Sequence, residues 1–151
     1  MNPELALLKV FYTSFVAYYK SHAAHWNIKS RTFYSDHKLL NKIYDDLFES
    51  VDTLAELIRT MEQLVPTTLT EIVAHSDVSD LPIFDDGDGD EYLQAIYDDL
   101  EILVGNYQNL EHETDTVEFS HINNYAQDRV RTLKKFQWML KSTLSTRDLD
   151  F

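Results

Sequence analysis

A chain of 151 residues with 44% hydrophobic residues, three glycines, three prolines and no cysteine fits one compact helical domain spanning 1–151. It excludes a disulfide scaffold, a zinc–cysteine site and thiol catalysis, and its apolar runs, such as Phe15 to Tyr19, are too short to cross a bilayer. The net charge of −13 opposes binding to nucleic acid or an anionic membrane and favours cations, though solubility alone explains most acidic chains. The excess is concentrated: residues 43–122 carry 21 acidic side chains against a single basic one, Arg59.

Asn2-Pro3-Glu4 reads as a helix start, a capping side chain followed by proline at the first helical position. Leu5, Leu8, Phe11, Phe15, Tyr19, His22 and Trp26 then recur at spacings of three and four, predicting a helix to about residue 28. Glu4 and the lack of a basic cluster do not suit a signal peptide, so a cytoplasmic location is expected. After the polar break 29–32, a second stripe runs from Phe33 through His37, Leu40, Tyr44, Leu47, Val51, Leu54 and Ile58 towards Leu64, ending at Pro66. A short helix fits Thr67 to Ser76, capped by Thr67 or Thr68 with Glu71 near the capping-box position.

Residues 77–90 read as a loop with one proline, two glycines and many aspartates. A third long helix fits Glu91 to about Glu111, and a fourth fits Val117 to about Leu144. Four long helices and one short one predict an all-α four-helix bundle, the short helix lying between the second and third long ones. Asp85 to Glu91 resembles a calcium loop only superficially. Counted from Asp86, the sixth and twelfth positions are Glu91 and Tyr97, where an EF-hand needs Gly and Glu, so a solvated loop is the better reading.

Chemistry concentrates on the second helix. At about 100° per residue, His37, Asn41, Asp52 and Glu56 fall within about 100° of one another on a single face. His37 and Glu56 are nevertheless about 28 Å apart along the axis, so one copy cannot close around one ion. Two copies packed antiparallel about a two-fold axis near residue 46 would set His37 of one subunit opposite the Asp52/Glu56 turn of its mate. His25, near the end of the first helix, could add a ligand to each site. Imidazole and carboxylate together suit Fe(II) or Zn(II) better than Ca(II), and open coordination positions would admit an oxidant. On spacing alone the other reading stays open: core or surface histidines, and a solvated acidic face. An intrasubunit di-iron bundle needs a Glu-x-x-His pair on each of two helices, and only Glu118-Phe119-Ser120-His121 is present.

The pattern His25-Trp26-Asn27, eleven residues between the two histidines, fifteen positions from His37 to Asp52, then Asp52-x-x-Ala55-Glu56, resembles the signature of the Dps family, the DNA-binding proteins from starved cells. The segment Lys135 to Leu140 resembles that family's last helix, so the likeness extends over nearly the whole chain. It implies a ferritin-like subunit assembled from two-fold dimers into a hollow homo-oligomer, a dodecamer. It implies iron as the bound metal: Fe(II) oxidised between subunits, preferably by hydrogen peroxide, and stored as ferric mineral. By position His25, His37, Asp52 and Glu56 match the family's iron ligands, His22 a histidine beside the site, and Trp26 a nearby tryptophan that can act as a sacrificial electron donor. Glu111, Glu113, Asp115 and Glu118 match a turn that helps line the family's acidic pores.

Two departures shape the expectation. The family carries an acid four residues after the second histidine, and here that residue is Asn41, a weaker donor towards Fe(II). One firm position formed mainly by Asp52, Glu56 and His25 is expected, with a weaker one around His37; Asp45, a turn beyond Asn41, is a partial substitute at most. Leu57 stands where the family usually has arginine. The second departure is the lack of a lysine-rich tail, and about twelve copies would carry on the order of −150 charges, so DNA binding is not expected. A shell with an impaired ferroxidase centre is the alternative reading.

Overall fold

The computed structural model describes residues 1–83 and 89–146. Five helices account for most of them: α1 (Pro3–Asn27), α2 (Phe33–Thr60), α3 (Leu69–His75), α4 (Gly89–Glu113) and α5 (Ser120–Thr146).

The caps read from the sequence are formed. Asn2 Oδ1 accepts the Leu5 N–H at 2.8 Å, with Pro3 at the first helical position, and Thr68 Oγ1 accepts the Glu71 N–H at 3.2 Å. Leu40, Ile43, Leu47, Leu54 and Ile58 give α2 one buried stripe. That helix stops at Thr60, earlier than the hydrophobic spacing suggests. Glu62 takes a left-handed φ of 61°, and Leu64 beyond it is 82% exposed, so no core is available to extend the stripe. The loop expected at 77–90 falls partly on residues outside those described.

Three contacts set the topology. Gly89, at the start of α4, lies against Ser30, just past the end of α1; a Cβ there would sit 2.8 Å from Ser30 Cβ. The Met1 ammonium reaches Glu113 at 3.7 Å, and Lys20 pairs with Asp99 at 2.9 Å. Thus α1 and α4 run antiparallel. The short connections 28–32 and 114–119 make α1/α2 and α4/α5 antiparallel too, so α2 and α4 run parallel. That forces one long crossover, which carries α3 onto α1 through buried Ile72. A four-helix bundle with one long crossover is the connectivity of ferritin-like folds.

The core is filled by Leu7, Val10, Leu40, Leu47, Leu54, Leu93, Leu100, Leu103, Tyr107 and Leu133, all fully buried. The α2–α5 side is closed by a part-buried ion pair, Arg129 Nη1 and Nη2 donating to Asp46 Oδ1 and Oδ2 at 2.9 and 2.6 Å. Burial opposes the Arg129 charge, but the hydrogen bonds and charge of Asp46 prevail and hold the guanidinium above its ordinary value.

Candidate metal centre

The short connection after α1 turns the chain back so that His25, in the last turn of α1, meets His37, in the second turn of α2. His25 Nδ1 lies 2.8 Å from the His37 carbonyl oxygen, and His37 Nδ1 lies 2.8 Å from the His25 carbonyl oxygen. A carbonyl only accepts, so both Nδ1 atoms carry hydrogen, and Nε2 is the nitrogen through which either ring could bind a metal. The rings stack at 3.6 Å and 18°, and Phe33 lies over His37 at 5.0 Å. This is how metal-binding imidazoles are commonly fixed, the far nitrogen held by a backbone acceptor. The turn is itself pinned: Ser30 Oγ and Thr32 Oγ1 donate to buried Asp36 at 2.7 and 3.0 Å, one residue before His37.

Asp52 and Glu56 lie exposed one turn apart on α2. The Asp52 carboxylate, by hydrogen bonding and then by charge, pushes the Glu56 carboxyl above its ordinary value. Asp52 and Glu56 thus set two carboxylates side by side on the exposed face of α2. They lie about 22 Å and about 28 Å along the helix from His37. Among the described residues of one chain no three His, Asp or Glu side chains gather as a metal site. The subunit therefore offers an imidazole pair and, separately, a carboxylate pair.

Around the histidines lies an aromatic cluster. His22 stacks on Tyr44 at 3.8 Å and 7° and on Trp26 at 3.9 Å, and its Nδ1 is 3.0 Å from the Tyr18 hydroxyl. Burial, then the neighbouring His25, hold the His22 imidazole below its ordinary value, against the opposing charge of Asp45. Asn41 Nδ2 donates to Asp45 at 2.7 Å, and Tyr44 Oη donates to Asn41 Oδ1 at 3.4 Å. Asn41 and Asp45 therefore act as a linked pair beside the imidazoles. Leu57 packs partly buried against the core.

Glu118 and His121 sit exposed at one end of the bundle, near Glu4 and Glu62, and not in its interior. The interior is held by Asp46, Arg129 and Tyr107, with the guanidinium 5.8 Å from the Tyr107 ring centre. Glu111 and Glu113 end α4, and Asp115 and Glu118 follow in the turn. Asp85, Asp86, Gly87 and Asp88 of the acidic loop lie outside the described residues. Sequence reasoning missed Asp36, Tyr18, Tyr44 and the Asp46–Arg129 pair. Only Tyr18, one turn before His22, and Tyr44, two turns after His37, had a helical spacing that could have flagged them.

Comparison with known proteins agrees with this fold. The model of the ferritin-like domain matches residues 5–149. A DNA protection during starvation protein of Listeria monocytogenes is 24% identical over 150 residues, covering 99% of this chain and 92% of that protein. The X-ray structure of Dps from Listeria monocytogenes superposes with a TM-score of 0.90 at 22% identity, over 96% of this chain and 94% of that one. A Dps protein of Vibrio cholerae O1, described as a member of a broad superfamily of ferritin-like diiron-carboxylate proteins, gives a TM-score of 0.86 at 24% identity, over 94% and 88%. Among the described residues no helix is long and apolar enough to cross a membrane. The chain belongs to the ferritin-like domain family, and the relatives it resembles are Dps proteins.

Proposed function

We propose that this chain forms a closed homo-oligomeric cage, a dodecamer built from two-fold dimers, that oxidises Fe(II) at sites shared between subunits and stores the ferric product inside. The observation that carries this reading is the pairing of His25 with His37. Their Nδ1 hydrogens are committed to backbone carbonyls and the two Nε2 atoms remain to bind a metal, while the carboxylates of Asp52 and Glu56 stand apart on the same helix. A two-fold axis near residue 46 brings the imidazoles of one subunit to Asp52 and Glu56 of the partner subunit. Two imidazole nitrogens and two carboxylates form a donor set suited to Fe(II).

Fe(II) is the substrate, and hydrogen peroxide is the preferred oxidant. Reducing one peroxide to two waters takes two electrons and two protons, and two Fe(II) ions supply the electrons. Iron and peroxide are consumed together without release of hydroxyl radical, which gives the protective role. A net charge of −13 per chain disfavours DNA as a partner and favours cation uptake from the cytoplasm. Mixing apo-protein with Fe(II) and peroxide should produce ferric absorbance, and Asp52→Ala should abolish it. An unchanged rate in that variant would overturn the assignment.

Asn41 favours one second reading, a shell whose centre holds iron weakly. Counting bound Fe(II) per site separates the two: two ions support the oxidising centre, none supports the shell.

A further inference from the structure

We propose that Lys42 of one subunit pairs with Glu49 of the partner subunit, twice across the two-fold axis, and that this reciprocal pair selects the dimer and sets its register. The inference rests on the two-fold axis near residue 46 in the reading above, and it names the side chains that fix that axis.

The outward face of α2 carries its charge in two halves. Before residue 46 it has Lys38 and Lys42, and after it Glu49, Asp52 and Glu56, all exposed. At about 100° per residue, Lys38, Lys42, Glu49 and Glu56 fall within about 40° of one another around the helix. A second copy laid parallel sets like charge against like. Laid antiparallel, it sets each basic half against an acidic half, so this face is complementary to a second copy of itself in one orientation. At 1.5 Å per residue, Lys42 lies about 6 Å from the axis, and Glu49 of the partner subunit lies about 4.5 Å from it on the same side. Within one chain Lys42 and Glu49 are about 10 Å apart along α2. Neither side chain makes an ion pair among the described residues, so both charges are open to a second copy.

Two neighbours on this face agree. Phe48 is 61% exposed, rests on the Tyr18 ring at 5.0 Å and stands two residues from the axis. It gives the contact an apolar centre with charge at the rim, the usual anatomy of a protein interface. Asp45, one residue from the axis, meets its own copy there. Asn41 Nδ2 donates to Asp45 Oδ2 at 2.7 Å and draws that carboxylate back along the helix, away from the axis.

The test is charge reversal on the apo-protein, read by sedimentation velocity over a dilution series and by ferric absorbance once Fe(II) and peroxide are added. Lys42→Glu alone sets glutamate against glutamate at both pairs, and Glu49→Lys alone sets lysine against lysine. Each should raise the concentration at which the assembly dissociates by at least about tenfold, with the helical circular dichroism spectrum unchanged. The rate of ferric absorbance should fall in step. Mixing the two variants restores both pairs in the heterodimer, and assembly and ferric absorbance should return. A role for either residue within its own chain alone would not be rescued by mixing. Single variants that assemble like wild type, or a mixture that assembles no better than its components, would overturn this inference and leave the iron reading standing. Rescue by mixing without ferric absorbance in wild type would support the pair and overturn the iron reading. A wild type that stays monomeric would overturn both.

Discussion

His25 and His37 hold each other in place: each ring donates to the other's backbone carbonyl at 2.8 Å, and the rings stack at 3.6 Å. The two Nε2 atoms are presented by one rigid unit tied to the turn between α1 and α2. On the proposed function, removing either ring takes away a ligand and the surface that steadies its neighbour. His25→Ala and His37→Ala should each lower Fe(II) affinity by at least about tenfold. The double variant should lose clearly less than the product of the two, as expected for groups acting as a unit. Fe(II) titration of the three variants under anaerobic conditions measures the coupling, and strict additivity would mean that the rings act independently.

If the proposed centre holds iron more weakly beside Asn41, Asn41→Asp should strengthen that position. It replaces an amide with a carboxylate beside the imidazole pair, and it exchanges the 2.7 Å hydrogen bond to Asp45 for a like-charge contact. The variant should bind more Fe(II) per site and oxidise it faster, with a lower melting temperature without iron that recovers on adding Fe(II). Metal counting and thermal melts with and without Fe(II) check both halves.

The Asp46–Arg129 pair should be the most costly polar contact to break on one side. Asp46→Asn leaves a buried guanidinium without its counter-charge, a loss of about 3 kcal/mol. Replacing both partners with apolar residues, Asp46→Leu with Arg129→Met, should cost markedly less. Denaturant unfolding at pH 7 compares them.

Lys20–Asp99 behaves differently. Burial raises the Asp99 carboxyl above its ordinary value, and Lys20 offsets this only in part. A carboxyl that holds its proton more tightly when folded favours folding below its unfolded pKa. That contribution is lost as the pH rises through the folded value. Wild type should therefore lose stability relative to Asp99→Asn between about pH 4 and its raised folded value. Melting temperatures of both proteins across that range measure the change, and a gap independent of pH would contradict it.

The bundle was legible because Leu, Ile and Val recur at three and four residues, and because Asn2 and Thr68 are strong caps. The end of α2 was not, since the stripe continues to Leu64 while the core does not. At the site, the helix wheel separates His37 from Glu56 along the axis and so points to a shared centre. The reciprocal bonds of His25 and His37 escape sequence reading because they end on backbone carbonyls, which no residue type reports. Asp46 and Arg129, 83 positions apart, could be paired only once the crossover had set α2 beside α5.

The central claim is that one subunit supplies imidazoles and its mate supplies carboxylates to the same iron. Crystals of the assembled protein soaked anaerobically in Fe(II), with anomalous data collected at the iron edge, test it most directly. Iron should appear within bonding distance of His25 and His37 of one subunit and of Asp52 and Glu56 of the partner subunit, strongest nearest the carboxylates. Iron bound wholly within one subunit, or no anomalous density beside the histidine pair, would contradict the account.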